Sequence, residues 1–395
     1  MKRILGTLFL VLLALPTWAE DKEPIKIGDI SSYTAGNIFA EPTRNGFTIA
    51  AEKINASGGI LGRPVEVISK DDLGKPDEAI KVVERLIYQD DVKILTGCNL
   101  ANIELAISDY ARHNGILYVS SCTNSDKFFW GNGHSHAFRG GGATVYTINH
   151  ILAKRAAEQG KKRWVAVNHS YDWGQSNFNA FKEALHKYQP DAQWVEVQWP
   201  AVGKIQAGAV VQALKAEKPD ALYTSLWGSD LFQLLREGKK RGLLTDDLLK
   251  VSQDLGRQES QNVLGTEMPE GWLTVGLPAA EIDNPMMKEF VAAYREKFGT
   301  DKMGWTGVTA YQTLFTIKAA IEKAGDVDTD AIIGALEDNF SVNSVYGVPF
   351  RIRSSDHAPS HGVWVGTSAV VNDAAAFVDT EYVDGWDYLP PEEEK

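Results

Sequence analysis

The sequence predicts an α/β fold of two open lobes with parallel central sheets, and three observations support this. Short apolar runs alternate with segments of helical periodicity along most of the chain. Helix-length segments separate the strands, which is the pattern of parallel sheets covered on both faces. The rhythm breaks once, at Arg139-Gly140-Gly141-Gly142, and then resumes as a second series.

The run IKIGDI at 25–30 predicts the first strand. Phe47, Ile49, Ala50, Ala51 and Ile54 recur at helical spacing and predict a helix over 46–54. The Gly-rich turn NASGGILGRP leads to a strand at 65–69. Ala79, Ile80, Val82, Val83, Leu86 and Ile87 share one face of a helix over 77–88, and a strand at 92–96, a helix at 103–113 and a strand at 116–120 follow. Three consecutive glycines suit a bend or a close backbone approach, so residues 139–142 are read as a crossing between lobes. The second series runs helix 146–158, strand 164–168, helix 177–187, strand 193–197, helix 205–216, strand 221–225, helix 231–241 and strand 249–252. A strand at 271–276 returns the chain to the first lobe, with helices at 287–298, 311–324 and 329–338. From Tyr346 onward VPFRIR and GVWVGTSAVV alternate like hairpin strands, and the PPEEEK end is expected to fray. The implied division is 20–141 with 278–344 as one lobe, 142–277 with 345–380 as the other, and 381–395 as a tail.

Residues 1–19 read as a cleaved export signal. Lys2 and Arg3 precede an apolar stretch too short to span a bilayer, Pro16 breaks it, and Thr17-Trp18-Ala19 offers a small-residue cleavage site. No Cys follows that stretch to carry a lipid. The 395 residues suggest two or three domains, and 44% hydrophobic with 23% charged residues is an ordinary globular balance. Loss of Lys2 and Arg3 with the leader takes the formal charge from −12 to −14. That excess argues against nucleic acid or anionic lipid as a partner, since both reward a basic face. The only cysteines are Cys98 and Cys122, each after a predicted strand. Neighbouring strands lie about 4.8 Å apart, within disulfide reach, so a bridge is expected in an oxidising compartment; two buried thiols are the alternative.

Catalytic patterns are absent: there is no GxSxG, HExxH or Walker motif, and no GxGxxG follows a strand. His134 with His136 and His357 with His361 lack an acidic or Cys partner at metal-ligand spacing, and read as solvated loop histidines. No enzyme, metal or cofactor is expected. In open α/β sheets ligands bind beyond the carboxyl ends of strands, so the loops there carry the functional signal. Gly97-Cys98-Asn99-Leu100-Ala101-Asn102 leads into a helix, and Ser120-Ser121-Cys122-Thr123-Asn124-Ser125 follows the next strand. Both are rich in donors suited to a carboxylate, although helix capping uses the same residue types. From the second series, Tyr171-Asp172-Trp173-Gly174, Leu226-Trp227-Gly228 and Gln253-Asp254-Leu255-Gly256 supply aromatic rings and an acid that can pair with an ammonium. Trp130 and Trp305 are further aromatic candidates.

Taken together, INASGGILGRPVEVISKDD, TGCNLANIELAISDYARHNGILYVSS, YDWGQS and GVPFRIRSSDH resemble the leucine/isoleucine/valine-binding family of periplasmic solute-binding proteins of ABC transporters. The resemblance implies two Rossmann-like lobes joined by three crossovers that close by hinge motion on a small ligand, delivery to a membrane permease, and a monomer in the periplasm. It also implies roles for residues. Ala101 falls where the family has a hydroxyl residue, and Asn124 where it often has Thr. Cys122 and Thr123 take backbone-contact positions, Tyr171 and Trp227 aromatic cleft positions, and Asp254 the acid that holds an amino group. With Asn99 and Asn102 these form the expected ligand-binding set. The expected ligand is a small carboxylate, foremost a branched-chain amino acid, with an aromatic carboxylate or amide as the alternative. A ligand-sensing role is the alternative to transport.

Overall fold

The computed structural model describes residues 22–34, 38–97, 99–122 and 125–392. The expected leader and Cys98 lie outside them, so the proposed disulfide has one partner beyond the described residues. Among the described residues no helix is long and apolar enough to cross a membrane.

The first sheet contains β1 (Ile25–Ser31), β2 (Val65–Asp71), β3 (Ile94–Gly97), β4 (Leu117–Ser120) and β5 (Ala137–Arg139). Their order is β2-β1-β3-β4-β5, and all pairs are parallel. Successive side chains leave the sheet on opposite sides. Ile94 and Leu117 join one core cluster while Leu95 and Tyr118 join the other. Burial on both faces explains why these strands read as continuous apolar runs. The helices Ala40–Ala56 and Gly304–Ala324 cover one face. They approach so closely at Gly46 that a Cβ there would collide with the Gly307 carbonyl. The helices Pro76–Tyr88 and Ala101–Asn114 cover the other face.

The second sheet begins with β6 (Arg163–Val167), β7 (Gln193–Gln198), β8 (Ala221–Thr224), β9 (Leu249–Gly256) and β10 (Leu273–Gly276). Val165, Val167 and Leu222 face one core; Trp164, Ala166 and Tyr223 face the other. A small antiparallel pair, β11 (Ser341–Asn343) and β12 (Pro349–Arg351), lies apart from both sheets. The second sheet is then completed by β13 (Val363–Val371) and β14 (Ala374–Val383), in the order β14-β13-β10-β9-β8-β6-β7. The chain therefore crosses between lobes after β5, after β10 and between β12 and β13.

Some elements differ from the sequence reading for physical reasons. Val345, Tyr346, Phe350 and Ile352 pack in the first lobe's core, whereas the expected boundary puts the segment from 345 in the second. The partner of β13 is β14, which runs to Val383, beyond the expected tail boundary at 381. Their turn, Asn372-Asp373, has positive φ at both residues (51° and 58°), as a tight two-residue hairpin requires. The helix Gly304–Ala324 starts well ahead of Tyr311, because its low-propensity opening is buried by packing. β5 and the short helix Lys127–Trp130 are additional elements.

Candidate functional site

Strands of both sheets end at a shared cleft. In the second lobe, Tyr171, Trp227 and Arg257 are the N-caps of the helices Asp172–Tyr188, Gly228–Lys240 and Gln258–Leu264. All three have extended backbone dihedrals, so the chain turns from strand end into helix at these residues, and all three line one cavity. Trp173 and Asp254 complete that wall. The opposite wall comes from the first lobe: Phe39, Asn99, Ala101, Cys122, Trp305 and Thr306. The space between these walls, its opening to solvent included, is ≈ 400 Å³. Gly97, which precedes this wall, has φ +100°, and a Cβ there would collide with the Asp29 carboxylate. Only glycine fits that strand end.

Aromatic edges meet across the cleft. The Phe39 ring of one lobe lies 5.8 Å from Trp227 of the other in an edge-on arrangement. Trp227 Nε1 donates to Tyr171 Oη at 3.2 Å, and Trp173 Nε1 to the Ser225 carbonyl at 3.1 Å. Ala101 belongs to a small apolar cluster with Val145 and Trp173. Asn99 is committed within its own lobe: Nδ2 donates to Thr43 Oγ1 and Cys122 Sγ, each at 3.2 Å, and Oδ1 accepts from the Ser32 amide at 3.3 Å. That network ties together the ends of three neighbouring strands. Burial pushes the Cys122 thiol up to about 12, so it is not a thiolate at neutral pH.

The charges sit on the second-lobe wall. Arg257 Nε lies 3.3 Å from Asp254 Oδ1, and both side chains are almost fully buried. Ser260 donates to Asp254 Oδ2 at 3.0 Å. Burial raises the Asp254 pKa to about 6 despite the opposing pull of Arg257. The guanidinium also lies over the Trp305 ring of the first lobe, 4.2 Å from its centroid, a cation–π contact between lobes.

Of the residues expected from sequence, Asn99, Ala101, Cys122, Tyr171, Trp227 and Asp254 come together around this cavity. Asn102 is exposed on its helix and does not line it, because the first helical turn rotates it away from Ala101. Thr123 and Asn124 lie outside the described residues. Trp305 lines the cavity, whereas Trp130 lines a separate depression and donates to Asp356 Oδ2 at 2.7 Å. Asp254 lies within β9 rather than in a loop past it. Phe39, Arg257 and Thr306 were missed. Arg257 occupies the same pre-helix position as Tyr171 and Trp227, but its short helix carries too few apolar residues to announce itself.

His357 and His361 are buried, not solvated. His357 stacks on Phe138 and bonds the Ala137 carbonyl, and His361 Nδ1 accepts from the Gly142 amide at 3.2 Å. Both brace loops near the crossovers, and burial holds the His361 pKa down to about 3. Among the described residues no three His, Cys, Asp or Glu side chains gather as a metal site.

Comparison with known proteins decides the family. The profile described as "Periplasmic binding protein" matches residues 24–374. The chain belongs to the periplasmic binding protein family. This periplasmic binding protein is 26% identical over 347 residues to the Leu/Ile/Val-binding protein homolog 3 of Brucella melitensis, covering 86% of this chain and 90% of the relative. Its fold matches the closed leucine-, isoleucine-, valine-, threonine- and alanine-binding protein of Brucella ovis with a TM-score of 0.81 at 20% identity, over 94% of this chain and 98% of the other. It also matches a solute-binding protein of an ABC transporter from Rhodopseudomonas palustris BisB5, solved with 3,4-dihydroxybenzoic acid, with a TM-score of 0.80 at 22% identity, covering 92% and 98%. The fold is thus the two-lobed type I periplasmic binding protein, a solute-binding class.

Proposed function

We propose that this periplasmic binding protein is the exported, monomeric receptor of an ABC importer. It captures a small carboxylate-bearing solute between its lobes and passes it unaltered to a membrane permease. The observation that carries this reading is the cavity itself, walled by strand ends and helix starts of both lobes. A solute there contacts both halves at once, so its binding energy favours the closed arrangement over the open one. The leader-like residues 1–19 support export. An amino acid is supported by the relatives' names and by the acid Asp254 in the wall. An aromatic acid is supported by the rings that make up much of that wall.

The test is native mass spectrometry of protein purified without refolding, followed by small-angle scattering with and without added solute. A small co-purified mass, and contraction of the scattering envelope on rebinding it, is the expected result. A protein that closes on no amino acid or other small carboxylate would overturn the reading, as would chemical turnover of the bound solute.

A further inference from the structure

Resting on that reading, we propose that Arg257 is the group that grips the solute's anionic end, and that the solute is a planar aromatic carboxylate without an ammonium group. Three observations converge. Arg257 is only 4% exposed and lines the cavity, yet among the described residues its guanidinium has one polar contact, Nε to Asp254. Its two Nη groups donate to nothing there, and a buried guanidinium with an unused fork facing a cavity calls for an acceptor. A carboxylate matches that fork with two parallel hydrogen bonds.

Asp254, meanwhile, already has a charged neighbour: its Oδ1 makes no hydrogen bond but lies 3.3 Å from Arg257 Nε, and its Oδ2 accepts from Ser260. An ammonium brought to its free edge would also lie beside the guanidinium, a like charge. Among the described residues the first-lobe wall offers little in compensation. Ala101 presents a methyl group, and the amide hydrogens of Asn99 go to Thr43 and Cys122. What that wall does offer is ring surface: Trp305 reaches the guanidinium from across the cleft, and Phe39 meets Trp227 edge-on. A flat ring is the shape that fills space between such faces with favourable offset or edge contacts.

The test removes any co-purified solute by unfolding and refolding, then titrates benzoate, 4-hydroxybenzoate, benzamide and L-leucine by calorimetry and tryptophan fluorescence. The aromatic acids are expected to bind, with benzamide, the uncharged isostere, and L-leucine much weaker. Arg257→Gln should weaken the aromatic acids by about 30-fold or more, the scale for losing a buried charged partner. Arg257→Lys should recover part of that loss, and circular dichroism with melting curves shows whether each variant is folded. Should Arg257→Gln fail to fold, the benzoate-to-benzamide ratio of the unaltered protein carries the test. Tight L-leucine binding with weak aromatic acids would overturn the inference and leave the importer reading standing. So would an unchanged affinity in Arg257→Gln. Binding of neither class would overturn this inference and leave the importer reading to its own test.

Discussion

Lys127 of the first lobe forms an ion pair with Asp172 of the second, Nζ to Oδ1 at 2.5 Å, one residue along from the cavity-lining Tyr171. Ser125 donates to the other carboxylate oxygen. A second-lobe carboxylate is therefore held by two first-lobe side chains.

Its two partners should not be equivalent. Lys127 is more than half exposed and Asp172 nearly buried. Lys127→Ala is expected to weaken solute binding by at most about 1 kcal/mol, and less at high salt. Asp172→Ala also strands the buried Ser125 hydroxyl, and is expected to cost about 1–3 kcal/mol. Calorimetry at two ionic strengths checks both; equal losses would mean that the exposed half of the pair matters as much as the buried half.

Asp254 predicts a pH dependence of stability. Its pKa is raised by burial to about 6, above the 3.8 of an unburied carboxyl. Between those values the folded protein holds a proton that the unfolded chain has released, so the group's contribution falls as pH rises through that window and is flat above it. Asp254→Asn has no such proton to lose. The stability of the unaltered protein relative to Asp254→Asn should fall from about pH 4 to about pH 6. Denaturant titrations of both across that range test the sign, and a difference that rises with pH would contradict it.

Glu104 and Arg139 form a fully buried ion pair at 2.8 Å beneath the first-lobe wall, and Ser120 donates to the same Glu104 oxygen. Burial raises the Glu104 pKa while Arg139 opposes the shift. Removing one partner leaves a charge in the core, so Glu104→Leu or Arg139→Met alone should each cost about 3–5 kcal/mol. The double variant Glu104→Leu with Arg139→Met should lie closer to the unaltered protein than either single change. A double-variant cycle by chemical denaturation measures this, and additive losses would show that the two charges do not depend on each other.

The residues show why the fold was more legible than the site. Ile94, Leu95, Trp164 and Val165 lie in strands buried on both faces, so apolar runs marked both sheets without reference to tertiary contacts. The β13–β14 hairpin was harder to bound because Asn372 and Asp373 take the left-handed conformation without a glycine to signal it. Tyr171 and Trp227 could be placed because recognisable strands precede them, and Asp254 because it lies near the end of one. Phe39 and Thr306 reach the cavity from helix starts on segments far apart in the chain, and their hydrogen bond, Thr306 Oγ1 to the Phe39 carbonyl at 2.8 Å, has no local signature. The pairing of Arg257 with Asp254 was hidden for a similar reason. An acid three residues before an arginine is an ordinary spacing, and only burial turns it into a charged anchor.

Trp227 separates binding from folding. It is a helix N-cap with no side-chain capping bond, so replacing it removes no cap and should leave the helix Gly228–Lys240 intact. Its ring touches Phe39 across the cleft, and its Nε1 fixes the Tyr171 hydroxyl. Trp227→Phe keeps a ring and loses the donor, so solute affinity should fall by about 0.5–1.5 kcal/mol. Trp227→Ala also opens the cavity wall and is expected to cost 2 kcal/mol or more, roughly the loss for a buried aromatic anchor. Because the Phe39 contact forms between lobes, the larger loss should appear as faster solute release, with association little changed. Stopped-flow fluorescence on the remaining tryptophans reads both rates. A slower association with unchanged release would mean that Trp227 guides the solute's entry instead of holding the closed state.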